Sequence, residues 1–368
     1  MLARILGLIL VIVLIPACFL GVAARARPGD LYRCDASYGK KFSLVCEDLK
    51  LPRFDGRGVV HPDVIYWRGR YIMAYTPYPP REAENICLVS SRDLLHWTTD
   101  GWQNPVVAYD RRVVWKDAFI ADPDILYVPA LKKWFLWFQP ASYTLGRQRG
   151  KRLLTTIALA TSRDGIEWSD TEVANPVMWP RDNQGRFWEG DLVRSPSVLY
   201  DQPNRRFIMW FDSKMEQSAE GKQKGYYPMK IGRAVSADGI HWTHDPRPAI
   251  CSAYSVWHPA VRYFDGTFWM YFPSPLGVEL ATSTDGIHWR RHGVVIPRRE
   301  GSWLHKPYRC SPVMFPRTCY LFVSSFDKDG VPRISLFSSE LSPAGRKYCS
   351  RHLYVVNDNL LGGKIILH

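Results

Sequence analysis

The chain has 368 residues, of which 46% are hydrophobic and 14% aromatic. This composition belongs to a folded protein and excludes an intrinsically disordered one. The net charge of +13 is compatible with nucleic acid, an anionic membrane or an acidic glycan as partner. Because the Lys and Arg residues are scattered and no nucleic-acid-binding motif is present, we predict no nucleic-acid partner.

Residues 1–26 are predicted to direct the chain out of the cytoplasm. They contain an apolar run from Ile5 to Ala24, flanked by arginines. Three interpretations remain open: a cleaved signal peptide, a lipoprotein signal whose lipobox-like IPAC ends at Cys18, and an uncleaved membrane anchor. Each predicts a periplasmic, extracellular or membrane-anchored protein. Residues 27–50 are interpreted as a linker.

The eight cysteines fit an exported protein without defining a disulfide scaffold. Cys34 and Cys46 are candidates for one pair, and Cys310 and Cys319 for another. No CxxC motif occurs, so a structural zinc site is not expected.

A seven-residue phrase recurs along the chain. It reads SRDLLHW, SRDGIEW, SADGIHW and STDGIHW, and these copies end at Trp97, Trp168, Trp242 and Trp289. Gly supplies the positive φ of a tight turn, and Ser and Asp accept backbone hydrogen bonds within it. We interpret the phrase as a structural hairpin turn whose Trp opens the next strand, not as a catalytic motif.

Each phrase follows three short β-rich segments: a strand that opens on x-Pro-x, an aromatic strand and a short alternating strand. The aromatic strands are RYIMAYT, KWFLWFQ, RFIMWFD and TFWMYFP, and a weaker fifth copy contains CYLFVSSF. Such units bury their faces only against one another. The sequence therefore predicts an all-β fold, a five-bladed β-propeller over residues 51–350, followed by a C-terminal closing segment, residues 351–368.

The x-Pro-x motifs are expected to face the central funnel, because the innermost strand of a blade begins there. They are His61-Pro62-Asp63, Asp122-Pro123-Asp124, Ser195-Pro196-Ser197, His258-Pro259-Ala260 and Ser311-Pro312-Val313. Since residues two apart on a strand face the same way, both residues of a motif are expected to reach the funnel.

The blade count, the S-x-D-G-x-x-W phrases and the Asp-Pro on an inner strand resemble the five-bladed glycoside hydrolases. Family 43 is the nearest, with families 32, 117 and 130 more distant. The resemblance implies a base Asp, a pKa-modulating Asp and an acid Glu on successive blades. It is partial here, because His61 and Ser195 stand where the family has acids. It assigns Glu189 as general acid, Asp63 as base and Asp122 as modulator, and the last two roles are exchangeable.

Glycoside cleavage requires one carboxyl group to protonate the leaving oxygen and another to activate water or attack carbon. Further residues are predicted to bind substrate in the funnel, and the tryptophans among them are interpreted as a stacking rim: His61, Asp124, Asp191, Trp115, Trp188, Trp257, His258 and Trp303. No metal ligand set is predicted. A structural Ca²⁺ is the one cofactor considered, and no organic cofactor motif is present.

The predicted function is an exported or membrane-tethered glycoside hydrolase acting on a polysaccharide or oligosaccharide. The positive charge favours an anionic or envelope-associated glycan. The alternative is a catalytically degenerate propeller that binds glycan or scaffolds an envelope complex, and the missing acids at His61 and Ser195 favour it. A transferase or phosphorylase is a weaker third interpretation. The sequence does not predict an oligomeric state.

Overall fold

The computed structural model describes residues 37–54, 56–78, 84–99, 101–181, 188, 190, 192–214, 228–340 and 362–366. The predicted targeting segment, residues 1–26, lies outside these ranges. Over the described ranges, no helix has both the length and the apolar character required to cross a membrane.

Five sheets form the described structure, and each predicted blade corresponds to one of them. The strands of blades one and two are β2 (Gly58–Trp67), β3 (Arg70–Tyr78), β4 (Cys87–Ser91), β5 (Phe119–Val128), β6 (Lys133–Ser142), β7 (Leu154–Thr155) and β8 (Ala158–Ser162). Those of blades three and four are β9 (Val193–Asp201), β10 (Arg206–Lys214), β11 (Met229–Ser236), β12 (Thr243–His244), β13 (Ala260–Phe264), β14 (Thr267–Ser274), β15 (Gly277–Ser283) and β16 (Arg290–Pro297). Blade five contains β17 (Lys306–Met314), β18 (Thr318–Phe326) and β19 (Pro332–Glu340).

The five inner strands form a closed ring. In chain order β2, β5, β9, β13 and β17 each contact the next, and β17 contacts β2. The prediction of an all-β five-bladed propeller is therefore confirmed. Helical structure is limited to two 3₁₀ turns, Val114–Lys116 and Pro129–Leu131, and one short helix, α1 (Tyr143–Gln148), in the part of the chain described.

Both ends of the described chain add strands to the ring. Strand β1 (Ser43–Cys46) pairs antiparallel with β19 and becomes the outer strand of blade five. Strand β20 (Ile365–Ile366) pairs parallel with β9, the inner strand of blade three. The ring is thus closed through a strand from the N-terminal part, while the C-terminal segment lies against an inner strand.

The repeated phrase folds as predicted, as a tight turn between strands. In the second copy Gly165 has φ 80°, Ser162 Oγ accepts from the Gly165 amide at 2.9 Å, and Asp164 Oδ1 accepts from two following amides. In the first copy Leu94 occupies the glycine position with φ 73°. The indole of Trp137 donates to the Gly239 carbonyl at 2.9 Å and so joins blade two to the turn of blade three.

The candidate pair Cys310 and Cys319 does not form a disulfide, and both thiols are free and buried. The register pairs Cys310 with Val323 and Cys319 with Met314, so the two cysteines lie at different positions along β17 and β18. The partner proposed for Cys46 is Cys34, which lies outside the described residues.

Candidate functional site

Four of the five x-Pro motifs turn their first side chain out of the regular pleat. His61, Asp122, Ser195 and His258 have φ values of 57°, 51°, 56° and 46°. A left-handed conformation costs a residue with a Cβ roughly 1–2 kcal/mol. In blades one and two this residue lies in a β-bulge, where the register with the neighbouring strand shifts. Four repeats of the same unfavourable geometry indicate a site.

The four side chains meet around one carboxylate, that of Asp122. Its Oδ2 accepts from Ser195 Oγ at 2.8 Å. Its Oδ1 lies 3.4 Å from His61 Nε2 and 3.1 Å from His258 Nδ1. Blade five contributes Arg309, whose Nη1 lies 3.0 Å from the same oxygen. All five groups are buried.

The surroundings of Asp122 keep it ionised. Burial alone would raise its pKa, but His258, His61 and Arg309 outweigh burial and hold the pKa well below the usual value. Burial also lowers the pKa of His258, against the opposing effect of Asp122. Near neutral pH the centre therefore contains a buried carboxylate anion.

Three further groups that the sequence did not single out surround this centre. Glu84 Oε2 lies 3.2 Å from His61 Nδ1, and the same oxygen accepts from Thr76 Oγ1 at 3.2 Å. The Tyr308 ring centre lies 4.6 Å from that of His258, and burial raises the pKa of its hydroxyl, which stays protonated. Glu84 follows a strand and carries no motif, so no sequence signal marked it.

On the blade-three side an ion pair supports the centre. Arg194 Nε donates to Asp212 Oδ2 at 2.6 Å, and Asp212 Oδ1 accepts from the His258 amide at 3.3 Å. Arg194 directly precedes the x-Pro motif of blade three, and its position was the only available hint of this role.

A cavity of about 280 Å³ opens at this centre. Its volume is close to the lower limit for small-molecule sites, and suits one sugar residue better than a long segment of polymer. Polar and apolar side chains share its wall: His61, Glu84, Phe119, Ala121, Asp122, Gln139, Leu153, Thr155, Leu192, Arg194 and Tyr308.

The donor atoms of His61, Asp122 and His258 suit a metal ion. One ligand atom from each lies within 4.8 Å of the others. His61 Nε2 and His258 Nε2 are buried and have no hydrogen-bond partner within the described ranges, whereas Asp122 Oδ1 is contacted by Arg309 Nη1 and His258 Nδ1. Two imidazoles and a carboxylate are typical of Zn²⁺ and related transition metals, whereas Ca²⁺ prefers oxygen ligands. The positive charge of Arg309 opposes the binding of a cation here. Support for a metal ion therefore comes from the two imidazole nitrogens, His61 Nε2 and His258 Nε2.

Asp63 and Asp124 belong to a separate buried cluster. Lys364, from the C-terminal segment, donates to Asp63 Oδ2 at 2.6 Å and to Asp124 Oδ1 at 2.7 Å. Arg262 donates to Asp63 Oδ1 at 3.1 Å. The bulge after His61 and after Asp122 separates the two residues of each motif, although residues two apart usually face the same way.

These carboxylates also join neighbouring blades. The Ile125 amide donates to Asp63 Oδ2 at 2.8 Å, and the Val198 amide donates to Asp124 Oδ2 at 3.1 Å. Burial raises the pKa of Asp63, but Lys364 and Arg262 outweigh it and lower the value to about 2. Burial, assisted by the Asp63 charge, raises the pKa of Asp124 to about 6 despite Lys364.

The four predicted rim tryptophans are packed against protein, and none belongs to the described wall of the cavity. Trp188 is buried and stacks on Phe211 with ring centres 6.1 Å apart. Trp115 packs against Phe138, and Trp303 against Phe337. Trp257 comes nearest to the centre, since its Nε1 donates to the Tyr308 carbonyl at 3.1 Å.

The remaining predicted acids, Glu189 and Asp191, lie outside the described residues. Their neighbour Leu192 lines the cavity.

Comparison with known proteins places this fold among solved propellers. No family model matches the chain, and no curated protein matches it. A family 117 glycoside hydrolase from Zobellia galactanivorans is 14% identical, with a TM-score of 0.62 over 91% of this chain and 96% of that one. A thermostable family 43 glycoside hydrolase is 13% identical, with a TM-score of 0.58 over 76% and 88%.

An N-acetylgalactosamine deacetylase from F. plautii, solved with blood group B trisaccharide, is 19% identical. Its TM-score is 0.61 over 86% of this chain and 100% of that one. The chain therefore has the five-bladed β-propeller fold of the glycoside hydrolases that the sequence resembles. At these identities the likeness defines the fold, and the chemistry has to be argued from the site.

Proposed function

We propose that the protein is a hydrolase of glycans whose reaction centre is Asp122 with His61 and His258. One observation carries this proposal: a buried, ionised carboxylate faces a cavity that suits one sugar residue, beside two imidazole nitrogens that have no hydrogen-bond partner in the described part of the chain. The glycoside hydrolases of the same fold support a carbohydrate substrate. The apolar N-terminal run supports export, as a secreted, lipid-anchored or membrane-anchored protein.

The first candidate reaction is cleavage of a glycosidic bond. Asp122 is ionised, as a base or nucleophile must be, so we assign it the role first given to Asp63. The charge of Asp63 is neutralised by Lys364 and Arg262, so we assign Asp63 a structural role. The general acid is Glu189 or Glu84, and Glu84 lines the cavity beside His61.

The second candidate reaction is removal of an N-acetyl group from an amino sugar. The His–Asp–His donor set favours it, and the deacetylase of the same fold adds support. A cation held by His61, Asp122 and His258 would polarise the amide carbonyl and lower the pKa of a bound water. Glu84 is placed to take a proton, and the protonated Tyr308 hydroxyl to donate a hydrogen bond to the developing oxyanion.

A substrate panel separates these reactions. The purified protein is incubated with aryl glycosides, neutral and acidic polysaccharides and N-acetylated oligosaccharides, and both new reducing ends and free acetate are measured. Parallel samples are stripped with chelator and reloaded with Zn²⁺ or Mn²⁺. Reducing ends that survive chelation support the glycosidase, and acetate that requires the metal supports the deacetylase.

We expect Asp122→Asn to lower kcat by at least about 10³-fold in either case, since it removes the central charge. Asp329→Asn, at an exposed surface carboxylate, is the matched control and should leave the rate unchanged. An Asp122→Asn variant with full activity would refute the centre. Glycan binding without turnover of any substrate would favour the degenerate propeller.

A further inference from the structure

Two buried polar atoms in the blade-two wall of the cavity have no hydrogen-bond partner among the residues that the structure describes. They are Gln139 Oε1 and Thr155 Oγ1. Gln139 is only 5% exposed. A buried acceptor without a donor is costly and uncommon in folded proteins. The two atoms therefore indicate a group that the protein binds.

Strand pairing directs both side chains into the cavity. Gln139 and Ala141 lie two residues apart on β6 and face the same side, and Thr155 on β7 pairs with Ala141. On its other side Gln139 pairs with Ala121, whose methyl group offers no hydrogen-bond donor. Ala121 directly precedes Asp122, so this wall adjoins the reaction centre.

Apolar side chains complete the same wall. Phe119, Leu153 and Leu192 line the cavity together with the two polar residues. The wall thus offers one hydrogen-bond acceptor, one hydroxyl and an apolar surface. A sugar hydroxyl would pair with the acceptor and leave the apolar surface without a complementary group.

We propose that this wall is a subsite for the N-acylamino group of a sugar. The amide N–H donates to Gln139 Oε1, the acyl carbonyl accepts from the Thr155 hydroxyl, and the methyl group packs against Phe119 and Leu153. Gln139 and Thr155 are then the residues that select an acetamido sugar over the parent hexose. This inference rests on the proposed function in its first form, cleavage of the glycosidic bond, because deacetylation would place the acyl carbonyl at the cation and Tyr308 and not at Thr155.

Calorimetric binding to the Asp122→Asn variant tests the subsite without turnover. The ligands are methyl glycosides of a hexose, the corresponding 2-amino sugar and the 2-acetamido sugar. We expect the acetamido sugar to bind at least roughly tenfold more tightly than the hexose, because only it uses all three parts of the wall. Equal affinities, or no measurable binding of the acetamido sugar, would overturn the subsite.

Substitutions in the same background assign the preference to residues. Gln139→Leu and Thr155→Val should each reduce the acetamido-to-hexose ratio, whereas Thr155→Ser, which keeps the hydroxyl, should retain it. Gln148→Leu, on the exposed helix α1, is the matched control. Melting temperatures identify variants that fail to fold. If Gln139→Leu is one of them, the comparison of Thr155→Val with Thr155→Ser tests the subsite on its own.

Turnover by the unmodified protein separates failure of the subsite from failure of the proposed function. Hydrolysis of sugars without an acetamido group, at rates equal to those of acetamido substrates, would end the subsite proposal and leave the hydrolase. Selective acetamido binding with no hydrolysis of any substrate would support the subsite and refute the hydrolase.

Discussion

Single residues determine the charge state of the centre. Burial lowers the pKa of His258 because it disfavours the imidazolium, and Asp122 opposes this effect. Arg309 and both histidines stabilise the Asp122 anion. The same contacts therefore hold a charged carboxylate beside two imidazoles, which are side chains that hydrolytic and metal-binding centres use.

Removal of the Asp122 charge should lower the pKa of His258 further. In Asp122→Asn the burial effect remains and the attraction that opposes it is lost. NMR titration of the imidazole carbon resonances measures the change. His292 provides the control, because its pKa is lowered by burial, Lys40 and Arg290, without a contribution from Asp122. An unchanged or higher pKa of His258 would contradict the electrostatic account of the centre.

At the scale of the elements, the repeated turn joins one blade to its neighbour. Gly239 has φ 78° and its carbonyl accepts from the Trp137 indole of blade two. A Cβ at this position would lie 2.9 Å from the Trp137 ring. The turn thus requires glycine for two reasons: its backbone conformation and its contact with the neighbouring blade.

Two glycine substitutions distinguish the energetic cost of the backbone conformation from that of the contact with the neighbouring blade. Gly69 has φ 79° and open space around its Cβ position. Gly69→Ala should therefore cost about 1–2 kcal/mol for the left-handed backbone alone. Gly239→Ala should cost a further ~1–3 kcal/mol, because the buried Trp137 has to move. Denaturant unfolding measures both values. Equal losses of stability would show that the contact between the blades contributes nothing.

At the scale of the whole molecule, the C-terminal segment adds a positive charge to the ring of inner strands. Lys364 is fully buried and holds Asp63 and Asp124, which belong to blades one and two. Both carboxylates also accept amide hydrogen bonds from the next blade. Loss of the Lys364 side chain would leave the two buried carboxyl groups without the positive charge that pairs with both.

Lys364→Met should destabilise the fold by about 3–5 kcal/mol at pH 7, because it breaks a buried ion pair on one side. Without the lysine the folded-state pKa values of Asp63 and Asp124 rise. A carboxyl group whose pKa is raised in the folded state binds its proton more tightly there. It therefore stabilises the fold fully below the unfolded pKa of roughly 4, and this stabilisation is lost as pH increases. The free energy of unfolding of Lys364→Met should therefore fall further below that of the unmodified protein as pH rises from 4 to 7.

Urea unfolding at several pH values measures this deficit. Lys328→Met is the control, since Lys328 is exposed and pairs with the surface residue Asp329. A deficit at pH 7 no larger than that of the control, or one that shrinks as pH rises, would show that Lys364 is not the counter-charge of this cluster.

The sequence alone determined the fold. Alternating strands, Asp-Gly turns and aromatic strands act over a few residues, and five copies of one unit bury their faces only when arranged in a ring. The x-Pro motifs also singled out His61, Asp122 and His258 as candidate residues of the funnel. These features were readable because each depends on backbone conformations and side-chain patterns within a short segment.

Only the tertiary structure decided which acidic groups act together. A bulge of one residue turned Asp122 toward the histidines, whereas Asp63 and Asp124 joined a cluster with Lys364. Arg309 and Lys364 reach their carboxylates from 187 and 301 residues away along the chain, once the ring has closed. Charge pairing across such separations depends on ring closure and on the direction of single side chains, and a local pattern in the sequence specifies neither.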